Sequence, residues 1–133
     1  KIMARIISTT GSKKVSTLQK EFNAKFPYIR LKIYSPEAKA LVAKGKTITG
    51  VDSNKTLSEV RSKKGGGKIS FSGSRNVRRI ESEFATIFGL YSQICYTEKD
   101  GSRYYTTGDD DTKSLTVLNR EKEAAGCQKD KWN

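Results

Sequence analysis

The chain has 133 residues, 26 of them basic and 14 acidic, for a formal charge of +12, and hydrophobic residues make up 35%. That length suits one compact domain, or two very small modules sharing a core. No histidine is present, which excludes His-based triads, His-Asp ribonuclease chemistry and most zinc sites.

The opening "KIMARII" is too short for the apolar core of a signal peptide. The only methionine is Met3, so the native start is either Met3 behind added residues or a trimmed precursor, and a removed secretion signal stays open beside a cytoplasmic location. "ARIIST" then reads as a short strand running into Gly11. Ser12 is the expected N-cap of a helix carrying Val15, Leu18, Phe22 and Phe26, whose spacing puts all four on one face. Pro27 stops it. "YIRLKIY" is a strand alternating Ile29, Leu31 and Ile33. Pro36 starts either a short helix over Glu37–Lys44, closing at Gly45, or a longer hairpin. "NKTLSEVRSK" reads as a further short helix, capped at Asn54 or a neighbour.

After the joint "SKKGGGK" the same order of elements returns. "KISFSG" is a strand, Ser74 is the expected N-cap, and Val77, Ile80, Phe84 and Phe88 form one helical face that stops at Gly89. "LYSQICY" is a strand alternating Tyr91, Gln93 and Cys95. Asp100-Gly101 predicts a hairpin with a type I′ turn. "TKSLTVLNREK" is a closing helix capped at Thr112 or a neighbour. Cys95 and Cys127 are either one bridge or a buried thiol and a tail thiol.

Aligned at a constant offset of about 62, "GSKKVSTLQKEFNAKF" matches "GSRNVRRIESEFATIF", and "DSNKTLSEV" matches "DDTKSLTVL" in the same order. The expected fold is therefore α+β: an internally duplicated β-α-β-β-α module, its two copies packed into one pseudo-twofold domain. The copies span residues 1–64 and 65–120, and 121–133 is a polar tail, either frayed or loosely docked by Trp132. Neither copy buries much alone.

The pattern of Gly, Val, Leu or Ile, Phe and Phe, followed by "D-x-x-K-[TS]-L", resembles small bacterial proteins of unassigned function built from two such units. The resemblance covers most of the chain and implies no activity and no catalytic residue. "D-x-x-K-T-L" is also similar to an element of ubiquitin-like folds, but the N-terminal hairpin those folds need is not evident, and that reading is not adopted.

Four features are candidates for chemistry. Lys13 and Lys14, and Arg75, Arg78 and Arg79, stand where helices begin, against the helix dipole, and could grip phosphate with the free amides there. Lys63 and Lys64 flank a glycine joint that lacks the spacing of a phosphate-binding P-loop, and a plain linker is the simpler account. Tyr28, Tyr34, Tyr91 and Tyr96 lie near Arg30, Lys32 and Arg103, as a base-stacking surface would require, although tyrosine is also an ordinary strand residue. Asp109–Asp111 could hold a divalent ion only if carboxylates such as Glu81, Glu83 or Glu98 converged on them.

No cofactor, metal site or catalytic group is nominated. The sequence points first to a non-enzymatic module contacting nucleic-acid phosphates, DNA or RNA, through two helix N-termini. A protein-interaction module or secreted effector docking an acidic partner is the alternative, and a small metal-dependent nuclease toxin is the third.

Overall fold

The computed structural model describes residues 7–129. Its elements are β1 (Ile7–Thr9), α1 (Val15–Lys25), β2 (Arg30–Tyr34), α2 (Ala38–Ala43), α3 (Leu57–Val60), β3 (Ile69–Phe71), α4 (Val77–Glu83), β4 (Tyr91–Thr97), β5 (Arg103–Tyr105) and α5 (Leu115–Ala124). The order is mixed α+β. Two small sheets form: β1 with β3, and β2-β4-β5, all antiparallel.

Both ladders of β1 and β2 run to strands that follow the glycine joint. Ser8 faces Ser70 at the centre of one, and Lys32 faces Gln93 at the centre of the other. Between them lies one core. The faces expected of α1 and α4 supply it: Val15, Leu18, Phe22 and Phe26 from the first, Val77, Ile80, Phe84 and Phe88 from the second, all buried. Ile29, Leu31 and Ile33, then Leu57, Leu115 and Leu118, complete it. Phe71 is at its centre, edge-on to Phe22 at 5.7 Å and stacked on Phe84 at 6.0 Å.

On β4 the core side is Leu90, Ser92 and Ile94, so Tyr91 and Gln93 turn away from the core. The shift has a simple source. Pro27 and Tyr28 separate Phe26 from Ile29, whereas Gly89 alone separates Phe88 from Leu90. One residue fewer flips every side chain to the other face of the strand.

The helix caps lie two residues beyond the predicted ones. Lys14, not Ser12, occupies the N-cap of α1 and makes no side-chain bond; Asn76, not Ser74, caps α4 by accepting from the Arg79 amide at 2.8 Å. Thr56 and Ser114 cap α3 and α5. Backbone from the turns that lead into α3 and α5 does much of the capping. Val15 and Ser16 amides donate to Lys55 and Ser53 carbonyls at 2.9 Å each. Val77 and Arg78 amides donate to Lys113 and Asp111 carbonyls at 3.2 and 2.9 Å. In return Leu57 and Ser58 bond Lys13 and Gly11, and Leu115 and Thr116 bond Arg75 and Gly73.

The short helix after Pro36 forms as the first of its two alternatives, closing at Gly45 with φ 73. The hairpin at Asp100-Gly101 forms too, but not with a type I′ turn. Only glycines among the described residues have positive φ, so Asp100 does not adopt the left-handed backbone that turn demands. Instead the Gly101 amide bonds the Glu98 carbonyl at 2.8 Å, Gly101 takes φ 92, and the Glu98 amide bonds the Ser102 carbonyl at 2.7 Å. This is a three-residue loop of a type I turn followed by a glycine bulge.

α4 passes directly into one π-helical turn, Phe84–Phe88, which ends at Gly89 with φ 62. The glycine joint docks on this turn. Ser62 and Lys63 amides both bond the Phe88 carbonyl, and Arg61 lies over the Phe88 ring at 4.7 Å. α5 runs past Arg120 to Ala124, and the Gln128 amide then bonds the Thr97 carbonyl at 2.8 Å. Trp132 lies outside the described residues. Cys95 is buried on β4 and Cys127 is half-buried after α5.

Candidate nucleic-acid interface

The basic residues that follow Gly-Ser meet carboxylates of their own helices. Lys13 Nζ donates to Glu21 at 2.6 Å, and Arg75 at the equivalent position donates to Glu83. Arg79 joins Glu83 at 3.1 Å, one turn back on the same helix. Lys113, just before α5, makes the same reach to Glu121 at 2.6 Å. A cation one residue before the N-cap thus folds along the helix to an acid two turns on. Pairs this exposed contribute about 0–1 kcal/mol each, but they lower the charge that Lys13 and Arg75 present to a ligand. The first amides of α1 and α4 are already bonded to carbonyls, as described above, so phosphate would meet side chains here and not free helix amides.

Lys14, Lys63, Lys64 and Arg78 are exposed. Of these, Arg78 has a defined setting. It lines an open groove of about 540 Å³ between α2 and α4, together with Lys39, Glu81 and Tyr91; Pro36, Ala85 and Leu90 form apolar walls. The volume falls in the range of pockets that hold small ligands. The π turn contributes Ala85, Thr86 and Gly89 to the rim. Such turns are rare and occur often at functional sites. Gly89 lies against Ser62 and Lys63 on its other side, so the glycine joint backs onto the same turn.

Glu81 is the acid of this groove. Burial disfavours its charged form and the nearby Asp111 adds to the effect, while Lys39 and Arg78 oppose it; its carboxyl is pushed up to about 7. The consequence for stability has a definite sign. Below the ordinary carboxylate range both folded and unfolded chains hold the proton, and folding carries no penalty. Above pH 7 the folded chain must ionise a partly desolvated acid, so stability falls as pH rises from about 4.5 to about 7. Glu81→Gln should therefore stabilise the protein at pH 8, by about 1 kcal/mol after allowance for solvent screening, or about 4 °C in Tm. At pH 4 it should change little. Calorimetric melts of the two proteins at both pH values check this.

The four tyrosines do not share a surface. Tyr34 is buried, with its ring 6.0 Å from Tyr91 and its hydroxyl 2.7 Å from that of Tyr105. Burial and that hydrogen bond raise the Tyr34 phenol well above its usual range. Tyr96 lies on the opposite face of β4, beneath Lys122 at 3.9 Å and beside Tyr104. Tyr28 is half-buried, and its amide bonds Asn119 at 2.8 Å. Tyr91 alone of the four lines the groove. Among the described residues Tyr104 and Tyr105 on β5 are the most open rings, 47% and 41% exposed. Arg103, Tyr104 and Tyr105 border a smaller hollow of about 370 Å³ with Lys32.

The acidic turn belongs to the fold. Asp110 is buried, accepts from the Thr107 amide at 3.4 Å and from Lys113 at 3.0 Å, and lies 4.0 Å from Lys122. No group of three or more acidic or thiol side chains among the described residues is arranged to hold a metal ion. Nor is any helix among them long and apolar enough to cross a membrane.

Sequence reasoning missed Lys39 and left Glu81 unplaced. Neither carries a local signal: Lys39 is one lysine on a short helix, and Glu81 is one acid in "RRIESE". Only the fold, which sets α2 across the groove from α4, brings them together. Compared with known proteins, the chain matches no family model, no curated protein and no solved structure.

Proposed function

We propose that this protein is a non-enzymatic binding module for nucleic acid, and that an unpaired stretch lies over the groove between α2 and α4. One observation carries this reading. Arg78 and Tyr91, which the sequence nominates separately as phosphate and base contacts, line the same groove with Lys39 between two apolar walls. A cation pair suits backbone phosphate and a half-exposed ring suits a stacked base. The surplus of positive charge supplies long-range attraction, to which exposed Lys63 and Lys64 of the glycine joint contribute.

We read the molecule as two copies of one unit. The mutual capping of α1 with α3 recurs between α4 and α5, and each ladder is centred on a pair of equivalent residues, Ser8 with Ser70 and Lys32 with Gln93. Both features support a duplication with a twofold relation. The groove departs from it, because α2 belongs to the first copy and the π turn to the second.

The test is fluorescence anisotropy with short labelled single- and double-stranded DNA and RNA across a salt series. Affinity should fall steeply with salt. Lys39→Glu/Arg78→Glu should weaken binding by about tenfold or more and reduce the salt slope by about 2. Lys13→Gln/Arg75→Gln, which removes cations already paired within the protein, should have a smaller effect. Absence of binding to all four ligands at low salt would overturn the reading. A second reading, docking of an acidic protein, is favoured by β5, an edge strand that exposes Tyr104 and Tyr105 beside Arg103.

A further inference from the structure

The groove holds an acid among its cations, and a surface built for phosphate alone has no use for one. Glu81 projects from the same helix as Arg78, one turn further on, and lines the groove opposite Lys39 of α2 and Tyr91 of β4. A carboxylate in a phosphate track repels the ligand unless it meets hydrogen-bond donors. Among the parts of an RNA chain, the donors are the ribose 2′-hydroxyl and the base edges, and only a base edge offers two donors side by side to match both carboxylate oxygens.

We propose that the groove takes one unpaired guanine, with Glu81 accepting from its ring N–H and exocyclic amine while Lys39 and Arg78 hold the flanking phosphates. This rests on the nucleic-acid reading above and narrows it to a preferred base. Guanine is the base whose one edge offers two adjacent donors, matching the two oxygens of a carboxylate. Adenine and cytosine offer an amine beside an acceptor nitrogen, which would face the second carboxylate oxygen unfavourably. Uracil offers one donor between two acceptors. Tyr91 provides a ring against which the base can lie, and Leu90 and Ala85 keep that side of the groove apolar. The volume of about 540 Å³ suits a ligand the size of one nucleotide.

The charges around Glu81 set how the preference depends on pH. Lys39 and Arg78 favour its ionised form; Asp111, from the turn before α5, and burial oppose it, and Tyr91 stays neutral. The base-selective contact needs the carboxylate. The preference for guanine should therefore be present above pH 7 and fade below it, while the phosphate contacts persist.

The experiment compares RNA pentamers that are uridine throughout except for a central guanosine, inosine, adenosine or cytidine, at pH 8 and pH 5.5. Guanosine should bind about tenfold or more tightly than adenosine or cytidine at pH 8, the scale expected of a bidentate contact. Inosine, which lacks the amine, should fall between them. Glu81→Gln should bind all the pentamers alike at both pH values and retain the salt dependence. Equal affinity of the native protein for all central bases at pH 8 would overturn the guanine assignment and leave the nucleic-acid reading standing. No binding to any pentamer at low salt would overturn both. A guanine preference that survives Glu81→Gln unchanged would also overturn the role given to this residue.

Discussion

Phe71→Ala is expected to remove about 3–5 kcal/mol of stability, a fifth or more of the roughly 5–15 kcal/mol available to a domain of this kind. Phe71 is fully buried on β3 and touches rings from both halves: Phe22 of α1 at 5.7 Å and Phe84 of α4 at 6.0 Å. Truncation empties the centre of the core and removes two aromatic contacts together. The neighbours cannot close the space easily, because Ser8–Ser70 pairing holds the β1-β3 ladder in register directly beside it. Phe71→Leu keeps most of the volume and should lose much less. Urea unfolding of the three proteins gives the comparison. A loss under 1 kcal/mol for the alanine variant would mean that the two halves do not share this core.

Gly89→Ala is expected to destabilise by about 2–4 kcal/mol, from strained backbone and overpacking together. Gly89 ends the π turn with φ 62, a left-handed conformation that a side chain disfavours. A Cβ there would also stand 2.9 Å from Lys63 Cβ and 3.1 Å from the Lys63 amide, and against Ser62 Oγ. Backbone on the joint would have to withdraw from the Phe88 carbonyl that binds it. Gly45→Ala separates the two causes. Gly45 has φ 73 but nothing within 4 Å of the added carbon, so only the conformational part remains. If both variants lose the same stability, the joint is not seated on the π turn as described.

The helices and core were legible in the sequence because spacing of three and four residues suffices to define a buried face. Val15, Leu18, Phe22 and Phe26, and their four counterparts, follow that rule without exception. The caps were less legible. Ser12 and Ser74 are good cap residues locally, yet carbonyls of Ser53, Lys55, Asp111 and Lys113, distant in sequence, satisfy those amides instead. The hairpin turn at Asp100-Gly101 shows a related difficulty. Asp-Gly serves two turn types, and the choice depends on the sign of φ at Asp100, which the flanking strands decide. The face of β4 turned on a single residue missing after Phe88.

The groove was half legible. Charge and residue type singled out Arg78 and Tyr91, but no local pattern assigned them to the same place. Glu81 shares its segment with Glu83, and the two acids have opposite fates. Glu83 turns to Arg75 and Arg79 and is tied into the helix, while Glu81 faces the groove with its carboxyl pushed up to about 7. A difference of two positions on a helix, about 200° around its axis, decides which acid is bound within the fold and which is offered to a ligand.

The ladders described above also govern how the chain reaches its native state. β1 finds its partner in β3, and β2 in β4, each about sixty residues further along. Until those distant segments meet, neither strand has a ladder, and Phe22 and Phe71 have no common interior to fill. Such long-range pairing places the entropy of closing a large loop before the energy of burial, which slows the approach to the transition state. The three glycines between Lys64 and Lys68 sit at the hinge of that closure. Within a loop of about sixty residues their number changes the closure entropy little, whereas the bonds from Ser62 and Lys63 to the Phe88 carbonyl add to the shared core in holding the closed joint against the π turn.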